Sequence, residues 1–328
     1  MKMIKFPLFV AILGFNTYTY AVEPTMFENT KTYCFGRYLV DVPVAAELKN
    51  EGNHFITEKE ISIKKILSVD FNKNISSREK ELKEQKDTEE YRFIDSRSLD
   101  GNNEKIIVSS ATRFGSTAYG IDTFKILGMG YAATTSVRSL GAKHYQSILA
   151  DYENYLKNIR YRQPKEIPNE PGFCISNGFV TNKGKASQAE GANLYFVLKN
   201  NPYVKIRIFS HVYFKQEQTL LERIDSSGVM KKFLSKVKYN KQGKRTINGL
   251  NGEEALTTFP SDDETGIAHV FTWETLGEIG NPLLPSINLE IKTGDSGGSG
   301  TFPSTLTQQE TMALYETIVK SIRIRPTQ

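Results

Sequence analysis

The chain has 328 residues, of which 39% are hydrophobic and 24% charged, a composition typical of folded globular proteins. Its formal net charge is +5, and removing the two lysines of the leader described next leaves 40 basic against 37 acidic side chains, a net +3. That excess is too small to indicate a nucleic-acid partner. A local basic run over residues 231–245 has few aromatic neighbours, so we interpret it as a solvated helix end and turn.

The first 21 residues have the layout of a secretory signal peptide. Lys2 and Lys5 form a basic start, and an apolar run follows from Phe6 to Phe15. That run is shorter than the roughly 20 apolar residues of a transmembrane helix, and no later segment is apolar for long enough. A buried N-terminal strand or helix is the alternative, but Thr19 and Ala21 supply the small side chains that signal peptidase reads. We therefore expect cleavage near Ala21 and a periplasmic mature protein.

The mature chain contains two cysteines, Cys34 and Cys174. An even number of cysteines in an oxidising compartment predicts a disulfide, and two buried thiols are the alternative. The sequence has no C-x-x-C motif, and its four histidines include no pair at i, i+4 spacing. Neither a metal site nor a cofactor is therefore expected.

The first half of the mature chain alternates strand patterns with two helices. A strand begins at Cys34 in the segment CFGRYLVDVP, and a charged helix is predicted over residues 76–91. Apolar residues between 148 and 156 recur at helical spacing and predict a second helix, which stops before Pro164. Further strand patterns cover residues 61–64, 104–112 and 120–126.

The second half repeats this order. A strand begins at Cys174 in CISNGFVTN, a charged helix is predicted over residues 215–237, and a closing helix over residues 312–319 runs towards Pro326. The strand patterns between them cover residues 194–197, 204–208, 252–258, 267–274 and 287–291. The tryptophan of the fourth pattern, Trp273, is expected to pack in the core rather than to anchor an interface.

Two segments of the chain resemble each other closely. Residues 152–164 read YENYLKNIRYRQP and residues 315–326 read YETIVKSIRIRP, and each closes its half. The repeat predicts an internal duplication into two similar α+β domains, each an antiparallel or mixed sheet with two helices. The expected boundaries are 22–164 and 165–328, with a proline-rich linker across residues 162–172.

The segment Gly294-Asp295-Ser296-Gly297-Gly298 matches the nucleophile motif of trypsin-like serine proteases. Such an enzyme needs a histidine base and an all-β double barrel, whereas none of the histidines has the expected context and helices are predicted here. The segment continues as Ser299-Gly300, so its composition favours a flexible loop. Catalysis by Ser296 is retained as the alternative hypothesis of a secreted hydrolase.

Other enzyme signatures are absent from the sequence, which contains no G-x-S-x-G elbow, no P-loop and no G-x-G-x-x-G. Asp262, Asp263 and Glu264 are adjacent carboxylates between a proline and a glycine, which predicts an exposed loop rather than an acid–base pair. An exposed acidic loop is a candidate partner-binding feature, and we assign these three residues that role.

The blocks CFGRYLVDVP (34–43), Gly172-Phe173-Cys174, NLEIKTG (288–294) and LYETIVKSIRIRP (314–326) together resemble the Tle cognate immunity proteins of the fourth class. The resemblance covers nearly the whole mature chain. It implies a periplasmic inhibitor that binds a type VI secretion phospholipase effector, with no catalytic residues, no cofactor and no stable membrane insertion. A secreted hydrolase and a structural envelope protein are the other classes considered, and residual lipase, esterase or protease activity would separate the hydrolase from the inhibitor.

Overall fold

The computed structural model describes residues 27–86, 90–101, 103–184, 189–226, 236–296, 298 and 300–327. The predicted signal peptide, residues 1–21, and its cleavage site lie outside these ranges. No helix in the described ranges is both long and apolar enough to cross a membrane.

The N-terminal half, residues 27–162, contains a five-stranded antiparallel sheet and two helices. The strands are β4 (Ser62–Lys65), β5 (Arg92–Arg97), β6 (Glu104–Arg113), β7 (Ser116–Gly128) and β8 (Tyr131–Gly141), and the helices are α1 (Ser68–Glu84) and α2 (Tyr145–Asn158). The sheet order is β4-β8-β7-β6-β5. Phe124 of β7 meets Phe71 of α1, while the next residue, Lys125, donates to the Leu156 carbonyl of α2. Because neighbouring strand residues point to opposite faces, the two helices cover opposite faces of the sheet.

The C-terminal half, residues 166–327, is built around a larger antiparallel sheet. Among the described residues, its strands are β12 (Gly191–Leu198), β13 (Asn201–His211), β14 (Lys238–Ile247), β15 (Leu250–Pro260), β16 (Ile267–Thr275) and β17 (Ser286–Lys292), and its helices are α3 (Leu220–Ser226) and α4 (Gln308–Val319). Helix α4 begins with a capping box, in which the Thr307 hydroxyl and the Glu310 carboxylate each accept a hydrogen bond from the other's backbone N–H. On β13, buried Val204, Ile206 and Ile208 alternate with outward-facing residues, the pattern of a sheet with one face on the core.

The two sheets have the same strand order. Five strands of the large sheet run β14-β15-β16-β17-β13 and the smaller sheet runs β5-β6-β7-β8-β4, so these five strands occupy corresponding places in the two sheets. The large sheet gains its seventh strand, β3 (Ala46–His54), from the N-terminal half, because β3 pairs with β12. A strand of one half therefore completes the sheet of the other.

Two small sheets also cross between the halves. One consists of β1 (Thr30–Phe35), β2 (Tyr38–Pro43) and the last strand of the chain, β18 (Arg323–Ile324). The other consists of β10 (Gly172–Ile175), β11 (Gly178–Thr181) and β9 (Ile159–Tyr161), the strand that ends the N-terminal half. Each half thus supplies the third strand to the other half's first hairpin.

One hydrophobic core runs through both halves. Its buried cluster includes Ile106 and Leu156 of the N-terminal half together with Phe196, Trp273 and Leu314 of the C-terminal half. Trp273 has no exposed surface, as the sequence predicted. The closing helices, α2 and α4, each contribute apolar residues at helical spacing to this cluster. This confirms the apolar faces that the sequence predicted for them.

Three predictions of secondary structure were wrong in part. The first charged helix begins at Ser68 rather than at residue 76 and ends at Glu84. The second charged helix begins at Leu220 rather than at residue 215. The basic run from Lys238 onwards belongs to strand β14 rather than to a solvated helix end and turn, and residues 231–235 of the run lie outside the described ranges. Arg245 of this strand is held by the carboxylates of Glu254 and Glu316 at 2.7–2.8 Å, so its charge is satisfied inside the protein.

Candidate partner-binding site

The two halves are joined by a buried ion pair. Arg37, in the turn between β1 and β2, donates two hydrogen bonds of 2.6 and 2.8 Å to the carboxylate of Glu190, which precedes β12. The side chains of Arg37 and Glu190 are only 9% and 2% exposed. Arg37 also donates to the backbone carbonyl and side-chain oxygen of Asn182, so all of these bonds link the first hairpin to the C-terminal half. Such a fully hydrogen-bonded pair fixes the geometry of the junction.

The disulfide lies in the same region. Cys34 of β1 and Cys174 of β10 are bonded with a Cα–Cα separation of 5.9 Å, and both are buried with Leu39 and Phe179. Backbone hydrogen bonds run both ways between Gly36 and Cys174, at 2.7 and 3.1 Å. The disulfide therefore connects the first hairpins of the two halves, and both of its cysteines are buried.

A groove runs along this junction, on the exposed face of the central strands. We define the junction groove by residues from both halves: Gly52, Asn53, His54, Glu58, Glu60, Gly191, Ala192, Asn193, Arg207, Phe209, Ser210 and His211. Its volume is about 390 Å³. A β-carbon at Gly191 would overlap the His54 ring, so the groove requires a residue without a side chain there.

Two histidines face each other in the junction groove. The rings of His54 and His211 meet edge to face at an interplanar angle of 61°, with centroids 5.4 Å apart. Burial, together with the charge of His211, lowers the pKa of His54 to about 4, and burial also lowers the pKa of His211. Both rings are therefore neutral at ordinary pH, although Glu58 opposes the shift for each. Among the described residues, His54 Nε2 and Asn53 Oδ1 are buried without a hydrogen-bond partner.

The groove continues past Arg207 into a second cavity of about 200 Å³. Its lining carries charges of both signs and consists of Tyr195, Lys205, Arg207, Glu290, Lys292 and Asp295. Lys205 and Asp295 form an ion pair at 3.0 Å, and Lys292 pairs with Glu290 at 3.1 Å. Hydrogen-bonding groups and charges of both signs are also the composition of the polar rim of protein interfaces.

The arrangement around Ser296 is not that of a serine nucleophile. Its hydroxyl donates to the Gly300 carbonyl at 2.5 Å, so it is engaged within its own loop. His269, the histidine of neighbouring β16, is fully buried and bonds through Nδ1 to the Thr258 hydroxyl. Gly297 and Ser299 of the motif lie outside the described ranges. No group of three metal-binding side chains is present in the part of the chain that the structure describes.

The predicted acidic loop, Asp262–Glu264, is an exposed turn between β15 and β16. The Ser261 hydroxyl and the backbone and side chain of Thr265 donate to the Asp263 carboxylate, which lowers its pKa. Glu264 pairs with Lys236 at 2.6 Å, and that hydrogen bond lowers the pKa of Glu264. These contacts do not bury the carboxylates, and Asp262, Asp263 and Glu264 are all exposed.

Asp262 ties the acidic loop to the glycine- and serine-rich segment. Its carboxylate accepts a 2.8 Å hydrogen bond from the Thr301 backbone, and its own N–H donates to the Thr301 carbonyl at 2.9 Å. Beside this contact, Tyr203 and Phe302 pack ring to ring with centroids 5.2 Å apart, yet each remains 40% exposed. The acidic loop thus borders an aromatic surface. The structure does not bring this loop together with the other predicted site residues, Cys34 and Cys174, which lie in a separate buried cluster.

The sequence did not point to the junction groove. Its histidines were examined only for helical spacing, whereas His54 and His211 come together because β12 lies between β3 and β13. The pairing Gly191↔His54 and Gly191↔His211 places both rings beside the same residue of the central strand. Only knowledge of the strand exchange between the halves would have revealed this arrangement.

Fold and site together define a two-part α+β protein whose accessible features are a polar groove and exposed loops, the kinds of surface that contact another protein. Two family models match the chain: the Tle cognate immunity protein 4 N-terminal domain over residues 31–162, and its C-terminal domain over residues 166–327. The chain belongs to the Tle cognate immunity protein 4 family. No curated protein sequence matches it.

Solved structures of similar proteins cover most of the chain. The apo structure of the immunity protein TplEi of the type VI secretion system (T6SS) from Pseudomonas aeruginosa has a TM-score of 0.78 and 25% identity, over 92% of this chain and 98% of that one. The Tle4–Tli4 complex gives a TM-score of 0.79 and 25% identity, over 92% of this chain and 99% of that one. TplEi complexed with the "L" peptide shares the fold, with a TM-score of 0.75, 24% identity, and coverage of 92% and 99%.

Proposed function

We propose that this protein is a T6SS immunity protein that binds a cognate phospholipase effector and holds it inactive. The observation that carries the proposal is the match of both halves to the Tle cognate immunity protein 4 family. A similar solved protein, Tli4, is described in complex with Tle4. Immunity proteins act by binding and not by catalysis, so the protein is not an enzyme.

The junction groove supports a specific mode of inhibition. Strands from both halves line it, and Arg37 and Glu190 fix their relative position. A protruding segment of the effector would enter the groove while each half contacts the flanking surface. Inhibition then follows either from covering the active-site entrance or from trapping a lipase lid closed, because lids gate access to substrate. A stable complex of this kind buries roughly 1,200–2,000 Å².

The acidic loop, Asp262–Glu264, is proposed as part of the contact. Its exposed carboxylates stand next to the aromatic surface of Tyr203 and Phe302, and an apolar patch with a charged rim is the usual composition of an interface. Reversing the charge at Glu264 (Glu264→Lys) should slow association with the effector, because rim charges act mainly on the association rate. Glu84→Lys, at an exposed glutamate of α1, is the matched control and should leave that rate unchanged.

We also propose a cellular location for the protein and an origin for its fold. A cleavable signal peptide over residues 1–21 would deliver the chain to the periplasm, where a disulfide between Cys34 and Cys174 is stable. The equal strand orders of the halves, and the equivalent backbone bonds from Arg162 to the Asn177 carbonyl and from Arg325 to the Arg37 carbonyl, support an internal duplication with domains at 22–164 and 165–328.

The test separates inhibition from hydrolysis by the protein itself. Phospholipase activity of the purified effector is measured while wild-type protein or Ser296→Ala is titrated in. We expect equal inhibition by both, complete at about one molecule per effector, and no hydrolysis by either protein alone. Hydrolysis by the wild type together with loss of inhibition in a folded Ser296→Ala protein would support the secreted hydrolase instead.

A further inference from the structure

Exposed apolar side chains cluster at one position of the N-terminal half. The turn between β7 and β8 lies beside the segment that leads from β4 into α1, because the Ile66 N–H donates to the Gly130 carbonyl at 2.8 Å. Leu67 and Val69 are each 69% exposed, and Met129 is 76% exposed. We call Leu67, Val69 and Met129 the N-terminal apolar patch.

The C-terminal half has a second cluster at the corresponding place. The connection between β16 and β17 lies beside the segment that follows β13, because the Gly280 N–H donates to the Tyr213 carbonyl at 2.7 Å. Phe214, Ile279 and Leu283 are 50%, 56% and 51% exposed. We call these three residues the C-terminal apolar patch.

The shared strand order makes the two patches equivalent. In the smaller sheet, the turn between β7 and β8 meets the segment that leaves β4, the strand beside β8. In the large sheet, the connection between β16 and β17 meets the segment that leaves β13, the strand beside β17. The residues differ in type, and the connections differ in length, but both positions expose large apolar side chains. Exposed apolar surface promotes aggregation unless a partner covers it, so its presence at the same place in both halves indicates a shared use.

The C-terminal patch is held in a fixed conformation. The Leu283 carbonyl accepts a 3.2 Å hydrogen bond from the Tyr38 hydroxyl, and its N–H donates to the side-chain oxygen of Asn281 at 3.0 Å. The Glu278 N–H donates to the Leu284 carbonyl at 2.8 Å. A loop ordered before binding loses less conformational entropy when a partner docks.

We propose that the two apolar patches are paired anchors for one partner, the effector, which presents an apolar surface to each half. This inference rests on the proposed function and specifies the surfaces through which it operates. Three side chains cover only a small part of the roughly 800 Å² that each partner buries in a stable interface. One partner that reaches both patches therefore fits the exposed area better than separate ligands at each.

The experiment is a double-mutant cycle on the full-length protein. One variant carries Leu67→Ser and Met129→Ser, a second carries Phe214→Ser and Ile279→Ser, and a third combines all four changes. Dissociation constants for the effector are measured by calorimetry. Each patch variant should weaken binding about tenfold, and the combined variant about 100-fold, because contacts at separate sites add. Ile94→Ser, at a 48% exposed side chain of β5, is the control and should bind like the wild type.

The outcomes are distinguishable. Wild-type binding and inhibition with no loss in either patch variant would overturn the paired anchors and leave the proposed function intact, as would a loss confined to one patch. A wild-type dimer that the variants convert to monomers without a change in effector affinity would assign the patches to self-association instead. A wild type that neither binds nor inhibits the effector would remove the proposed function, and the anchors with it. Unchanged melting temperatures in the variants establish that they are folded.

Discussion

The two halves of this protein use the same strand order but do not form separate sheets. The N-terminal half keeps five strands and gives β3 to the C-terminal sheet, which therefore has seven. The C-terminal half returns β18, which pairs with β2 of the first hairpin. The proposed boundary near residue 164 therefore does not separate the structure into two independent units, because the hydrophobic core and the sheets continue across it.

The strongest test of this comparison separates the halves. Expressed alone, residues 22–164 would lack the partners of β2 and β3, and residues 165–328 would lack the third strand beside β10 and β11. We expect neither fragment to unfold cooperatively or to show a native near-ultraviolet circular dichroism spectrum. Co-expressed fragments should form a stoichiometric complex with native spectra. Cooperative unfolding of either fragment alone would mean that the halves are independent domains.

The next largest effect concerns the disulfide between the halves. Cys34 and Cys174 are separated by 140 residues in sequence, so the chain-entropy treatment predicts a stabilisation of about 5 kcal/mol, and measured values are commonly smaller. Denaturant unfolding of Cys34→Ser with Cys174→Ser should show a loss of about 2–5 kcal/mol. Thiol titration of denatured, unreduced periplasmic protein should find no free thiol, whereas two free thiols would contradict the pairing.

Removing one partner of the buried ion pair should have an effect of similar size. Arg37→Ala leaves the carboxylate of Glu190 buried without its partner, which costs roughly 3–5 kcal/mol of unfolding free energy. Lys49→Ala removes the partner of Glu47 from an exposed pair on β3 and is the control, for which we expect little change. Equal effects of the two substitutions on the denaturant midpoint would show that Arg37 does not hold the halves together.

The smallest expected effect is a pH dependence set in the junction groove. The pKa of His54 is about 4 in the folded protein and 6.5 ordinarily, so between those values the unfolded chain binds a proton that the native state does not. Stability from this group is therefore complete above pH 6.5 and declines as the pH falls towards 4. His54→Phe keeps a ring against Gly191 and cannot titrate.

In His54→Phe, the loss of unfolding free energy between pH 7 and pH 4.5 should shrink by on the order of 1–2 kcal/mol relative to wild type. The comparison with wild type cancels the carboxylates that titrate in the same range. An unchanged difference between the two pH values would place the pH dependence elsewhere in the molecule.

Sequence patterns predicted the parts of the fold whose residues sit on one clear face. The α4 and β13 segments have apolar residues at helical and alternating spacing, and both formed as expected. Strand β3 carries polar residues on both faces because it lies at the edge of the large sheet, so its sequence AELKNEGNH has no periodic signal. The start of α1, SVDFNKNI, contains several weak helix formers, and its helical state depends on packing such as that of Phe71 against Phe124.

The candidate site was harder to predict for the same reason. The acidic loop could be found because Asp262, Asp263 and Glu264 are adjacent in the sequence and flanked by turn residues. The groove combines His54 with His211, 157 residues away, through a pairing between strands of different halves. No local spacing encodes such a contact. The apolar patches likewise became recognisable only once the strand orders could be compared.

The pairing of β2 with β18 also limits how this chain can fold as it is made. Tyr38 faces Ile324, so the first hairpin gains its third strand only after residues 323–324 have been synthesised. Contacts between such distant residues raise the contact order and slow folding, because a long loop must close before they form. A nascent chain that has not reached Arg323 keeps one edge of its first sheet open. We therefore expect the native structure to form after synthesis, and a truncated chain to remain a target for proteolysis.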